Sequence, residues 1–135
     1  MLKGINLCFY GRSDEKIDDV QLYFEYCLDR MPSWICAFDM RDVYIDNGVL
    51  AVKKHRKKFE SMMEKIHSGE YNFVIIPSLE DIAEDRNILG AIFMDIYFSG
   101  AQVYSIQNKS IINPDDILHD IVSSHRRAKK ICEGN

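Results

Sequence analysis

The stretch FYGRSDEK, residues 9–16, sets an arginine beside a serine where an apolar run turns polar. A serine hydroxyl with no strong base nearby attacks a phosphate only if cations surround the negative charge as it develops. Arg12 is such a cation and Ser13 such a hydroxyl. The same residues have a plainer use, because Ser-Asp-Glu ahead of a helix is ordinary capping chemistry and Arg12 can pair with the acids around it. Glu80, Asp81, Glu84 and Asp85 form a second chemical concentration. Paired carboxylates suit magnesium, and acids equally suit the first turn of a helix. His55, His67, His119 and His125 have no spacing for a triad or a metal and read as surface residues. No cofactor is indicated.

These residues need a frame. Residues 5–9 (INLCF) and 73–76 (FVII) are short, nearly continuous apolar runs, as in strands buried on both faces of a parallel sheet. Val20, Phe24, Cys27, Leu28 and Met31 share one helical face that Pro32 stops. Residues 34–38 and 43–45 read as a bent second strand ending at the turn Asp46-Asn47-Gly48. Phe59, Met62, Met63 and Ile66 mark a second helix with Gly69 as its cap, and residues 87–98 a third. Residues 101–105 give a fourth strand, and Asn113-Pro114 opens a last helix carrying Ile117, Leu118, Ile121, Val122 and Ala128 on one face. Trp34 and the Met62-Met63 pair read as core. Strand and helix alternate throughout, which predicts an α/β fold: a mostly parallel sheet of four to five strands with helices on both faces, a flavodoxin-like three-layer arrangement. Any site then belongs at the carboxyl ends of the strands, residues 10–16, 46–54 and 77–85.

The chain of 135 residues, 47% of them apolar, fits one domain with its own core. Cys8, Cys27, Cys36 and Cys132 lie far apart with no CxxC spacing, so neither a zinc site nor a disulfide framework is signalled. A reduced, cytoplasmic setting fits, and no segment approaches the roughly 20 apolar residues of a membrane span. A formal charge of −4 argues against nucleic-acid binding by bulk electrostatics. Two basic blocks, residues 53–58 (KKHRKK) and 125–130 (HRRAKK), stand against that balance.

In this order the segments resemble the catalytic domain of the serine recombinases, the resolvase and invertase superfamily, and most of all the large serine integrases. FYGR resembles the family's opening Y-x-R-x-S strand end, RMPSW the link to its second strand and YIDNG its D-E-G. HRKKFESMM resembles R-P-x-F-x-x-M, GEYNFVIIPSL resembles G-x-x-D-x-(I/V)-(I/V)-x-x-L, and AQVYSI the late strand. The resemblance implies a resolvase-like domain over residues 1–112 and, in residues 113–135, a shortened form of the family's dimerisation helix. It also implies DNA cleavage through a phosphoserine, with Ser13 as nucleophile and Arg12, Arg56 and, displaced by two residues, Arg86 as phosphate-holding cations.

The chain departs from the pattern where the charge matters. Ser13 follows Arg12 directly, so an ungapped reading puts Asp14 at the nucleophile position, and Glu80, Asp81 and Glu84 stand where the family keeps a serine or aspartate and two arginines. One charge about 5 Å from a phosphate is worth roughly 3 kcal/mol at an effective dielectric near 20, and reversing its sign turns attraction into repulsion of similar size. The expectation is therefore an impaired recombinase-like domain, with DNA binding weak or lost, that works as a homodimer or as a heterodimer with a full-length recombinase. Two alternatives stand beside it: an active minimal serine recombinase, and a metal- or phosphate-dependent signalling module using Asp14, Asp46 and the acids of residues 80–85.

Overall fold

A computed structural model describes residues 4–51 and 56–118. Its first strand, β1 (Leu7–Ser13), runs on past the apolar stretch because the ladder outlasts the hydropathy: Gly11, Arg12 and Ser13 face Ile45, Asp46 and Asn47 of the neighbouring strand in parallel register. Helix α1 (Val20–Leu28) starts on Asp19, whose carboxylate accepts from the Leu22 N–H at 3.0 Å. Ser13 therefore does not cap this helix.

Residues 34–38 are not a strand. Pro32 turns the chain, the Ile35 N–H closes on the Pro32 carbonyl at 3.0 Å, and Ile35–Ala37 forms a 3-10 turn. The apolar pattern there comes from Ile35 packing inward, not from a ladder. Only Met40–Asn47 forms the second strand, β2. Trp34, expected in the core, is 45% exposed and lays its ring edge-on to Phe73 and Tyr104.

The rest follows the periodicity. Helix α2 (Lys57–His67) buries Met62 and Ile66 and leaves Met63 packed at the margin, while Gly69 at φ +84° makes the left-handed exit. Strand β3 (Phe73–Ile76) is buried at every position, and a 3-10 turn (Leu79–Asp81) leads to helix α3 (Arg86–Phe98), capped by Asp85. Strand β4 (Gln102–Ser105) is followed by the short antiparallel β5 (Ser110–Ile111). Asn113 accepts from the Asp115 N–H at 3.0 Å, and residues 114–118 are helical. The remainder of the expected last helix, its HRRAKK block with His119 and His125, and His55 of the other basic block lie outside the described residues.

The sheet order is β2-β1-β3-β4-β5, parallel except for β5. Alternation along β1 separates two cores. Cys8 and Tyr10 meet Met62, Ile66, Leu89 and Phe93 of α2 and α3, while Leu7 and Phe9 meet Cys27 and Met31 from the α1 side. The expected three-layer α/β architecture is present. Among the described residues no helix is long and apolar enough to cross a membrane.

Gly11 is where α1 presses on the sheet. A Cβ there would stand 2.8 Å from the Tyr23 hydroxyl and 2.9 Å from the Phe9 ring. Gly11→Ala should lower stability by about 1–3 kcal/mol in denaturant titration. Unchanged stability would mean that the Tyr23 ring swings aside freely.

Candidate functional site

In the order 2-1-3-4-5 the chain reverses direction across the sheet between β1 and β3, and the crevice beyond those strand ends is where such folds take ligands. Here Arg12 emerges from β1 and residues 78–82 cross over from β3. Arg12 is buried. Its guanidinium contacts the Asp14 carboxylate, donates to the Val49 carbonyl at 3.0 Å and the Glu80 carbonyl at 3.4 Å, and stands 4.0 Å from the Asp81 carboxylate. Its Nε is buried without a partner.

Asp81 turns inward because the turn that carries it is closed on itself. The Asp81 carboxylate accepts from the Ser78 N–H at 3.2 Å and the Ser78 hydroxyl at 3.4 Å, a reciprocal capping box that fixes it beneath the strand ends. Burial pushes the Asp81 carboxyl up to about 6, against the opposing pull of the Arg12 guanidinium and the Ser78 hydrogen bonds. Glu80, Glu84 and Asp85 face solvent instead. Asp85 is occupied as the α3 cap, accepting from the Asn87 and Ile88 N–H groups at 2.8 and 3.1 Å.

Arg56 reaches the same turn from the other side. It donates to the Asp81 carbonyl at 2.8 Å, the Ile82 carbonyl at 2.6 Å and the Tyr10 hydroxyl at 3.3 Å, and its guanidinium lies 4.2 Å from the centre of the Phe59 ring. Both buried arginines thus spend hydrogen bonds on residues 80–82. Arg86 is exposed at the start of α3.

Asp46 holds this side together. It is buried and accepts from the Tyr10 hydroxyl at 2.7 Å and from the Lys58 and Phe59 N–H groups at 3.0 and 3.1 Å. The residue at the N-cap of α2 is Arg56, which provides no side-chain cap. Asp46 does so from across the sheet. Burial, then the hydrogen bond to Asp46, raises the Tyr10 phenol well above the ordinary tyrosine range.

Ser13 has separate partners. Its hydroxyl donates to Asn47 Oδ1 at 3.2 Å and accepts from the Gly48 N–H at 3.3 Å. Asn47 also accepts from the Ile17 N–H at 2.6 Å and donates to the Ile17 carbonyl at 2.9 Å, tying the loop after β1 to the end of β2. No hydrogen bond among the described residues joins Ser13 to Arg12 or Arg56. Asp14, the ungapped match to the nucleophile, is exposed and pairs with Arg12.

The structure thus gathers Arg12, Arg56 and Asp81 and leaves Glu80, Glu84 and Arg86 on the surface. In the sequence Asp46 and Asn47 stand out as a turn, in the YIDNG match and, for Asp46, as a candidate metal or phosphate ligand, and nothing local marks their long-range structural roles. Among the described residues no group of three or more His, Cys, Asp or Glu is placed to hold a metal. His67 is on the surface, 2.8 Å from Asp95.

No protein-family model matches the chain, and no curated protein matches its sequence. Solved structures do resemble it. A resolvase family site-specific recombinase from Streptococcus pneumoniae superposes with a TM-score of 0.68 at 18% identity, over 94% of this chain and 89% of that one. The N-terminal catalytic domain of TP901-1 integrase gives 0.68 at 12% identity, over 95% and 98%. A serine recombinase from Sulfolobus solfataricus gives 0.58 at 14% identity, over 97% and 87%. At such identities the likeness is one of fold: this chain is built as serine recombinase catalytic domains are.

Proposed function

We propose that the chain is a member of the serine recombinases, with a resolvase-like domain over residues 1–112 and a dimerisation segment in residues 113–135, that no longer cleaves DNA. It acts by protein contact in the cytoplasm, as a homodimer or as the silent partner of a full-length recombinase. The observation that supports this best is the occupation of the crevice by the chain itself. An anion bound between Arg12 and Arg56 would displace their bonds to residues 80–82 and would meet the Asp81 carboxylate already there. Bringing a phosphate about 5 Å from that fixed charge costs roughly 3 kcal/mol at an effective dielectric near 20. Ser13 is engaged with Asn47 and Gly48, and among the described residues no cation is in hydrogen-bond contact with its hydroxyl.

A second reading, an active minimal recombinase with Ser13 as nucleophile, draws on one observation. Arg12, next to Ser13 in β1, and Arg56 both bond to residues 80–82 beyond the carboxyl end of the sheet, and opening of residues 78–82 would free them.

Salt dependence of DNA affinity separates the two readings. A protein whose cations are internally paired releases few counterions, so its affinity for duplex DNA should stay in the non-specific range and change less than about tenfold between 50 and 200 mM salt. A loss of about a thousandfold over that interval would mean that six or more phosphates are contacted and would favour the enzyme.

A further inference from the structure

Among the described residues a further cavity lies apart from the crevice. On the α1 side of the sheet, beyond the carboxyl ends of β3 and β4, a cleft of about 610 Å³ opens between Tyr26, Cys27 and Arg30 on one side and Pro77, Ile106 and Lys109 on the other. Its volume is in the range of small-molecule sites, which span roughly 300–1,000 Å³ and combine apolar walls with a few placed polar groups.

The charge in this cleft is of one sign. Arg30 and Lys109 line it and no carboxylate does, in a chain whose net charge is −4. Among the described residues neither cation is paired with an acid. The Arg30 side chain and the Lys109 backbone are held in place. The Arg30 guanidinium stacks 3.5 Å from the centre of the Tyr26 ring and donates to the Tyr26 carbonyl at 3.3 Å, leaving most of its five N–H donors for another partner. Lys109 closes the turn after β4, its N–H on the Ile106 carbonyl at 3.2 Å and its backbone left-handed at φ 55°. The floor is Cys27 and Ile106, both buried members of the α1-side core.

We infer that this cleft binds a small organic anion with an aromatic body, the ring seated on Ile106, Pro77 and Tyr26 and the acid group between Arg30 and Lys109. A carboxylate, phosphate or sulfonate would satisfy the cations, and the apolar walls require the ring. The site shares no lining residue with Ser13 or the Arg12–Asp81 crevice.

Phenylacetate tests this, with phenylacetamide as the neutral isostere and inorganic phosphate as the anion without a ring, each titrated into the full chain and followed by backbone amide NMR shifts. Phenylacetate should bind with a Kd on the order of 1 mM, moving the amides of residues 26–30 and 106–109. Phenylacetamide and phosphate should each bind at least tenfold more weakly. Lys109→Gly removes the cation while suiting the left-handed backbone, so it should keep the fold and weaken phenylacetate about tenfold; Arg30→Gln should do the same. Equal binding of the amide, equal binding of phosphate, shifts confined to other surfaces, or full affinity in both variants would overturn the assignment.

Discussion

Asp46→Ala should lower the stability of the domain by about 3–5 kcal/mol, enough to unfold a marginal protein at ordinary temperature. The Asp46 carboxylate is buried and receives three donors, the Tyr10 hydroxyl and the Lys58 and Phe59 N–H groups. Its removal orphans all three at once. It also removes a buried carboxylate from the positive end of α2, where Arg56, Lys57 and Lys58 gather and Glu60 is the acid of the first turn. Asp95→Ala is the matched control, because the His67–Asp95 pair is about half exposed on both sides, 50% and 51%, and an exposed ion pair contributes at most about 1 kcal/mol. Urea titration of both variants measures the contrast. Equal, small losses would show that Asp46 is not the cap of α2.

Asp81 should behave in the opposite sense. Its folded carboxyl stands at about 6 against an ordinary 3.8, raised by burial and only partly offset by Arg12 and Ser78. The other groups that feel its charge are Glu80, Tyr23 and Cys27. An acid with a raised folded pKa holds its proton more tightly in the folded state, so its contribution to stability is full below about pH 4 and declines as the pH climbs through 6. Once both states are ionised the loss amounts to about 3 kcal/mol. Asp81→Asn keeps the shape and the capping oxygen without the charge. It should leave stability unchanged at pH 4 and raise it by about 2–3 kcal/mol at pH 8. Destabilisation at pH 8 would mean that the pairing with Arg12 outweighs the cost of burying the carboxylate.

These two aspartates mark what sequence could and could not tell about this molecule. The buried run of β3, the amphipathic faces of α2 and α3 and the glycine exits were legible because each rests on local composition and period. The extent of β1 was not, since its last residues, Gly11 to Ser13, are held by the β2 ladder and not by hydropathy. Residues 34–38 misled for the converse reason: Ile35 is apolar because it fills the α1-side core from a turn. At the candidate site, Arg12, Arg56 and the acids of residues 80–85 were identifiable by type and position. Their orientation was not, because only the capping box with Ser78 sends Asp81 inward while Glu80 and Glu84 face water. Asn47, which holds both Ser13 and Ile17, gave no signal beyond the turn dipeptide Asn-Gly.

The consequence for function lies in how the fold uses its charges. Arg12 and Arg56 sit where an α/β sheet of this order offers a ligand site, yet most of their hydrogen bonds go to the backbone of Val49 and residues 80–82, to Asp14 and to Tyr10. Phosphate binding there would draw on the same groups that hold the fold together.

The most direct test is covalent. A pool of nicked suicide duplexes with randomised centres, incubated with the chain and run on a denaturing gel, traps any phosphoserine bond because the cleaved fragment diffuses away before religation. The account predicts no protein–DNA adduct for the natural chain and none for Ser13→Ala. An adduct formed by the natural chain and abolished in Ser13→Ala would contradict it.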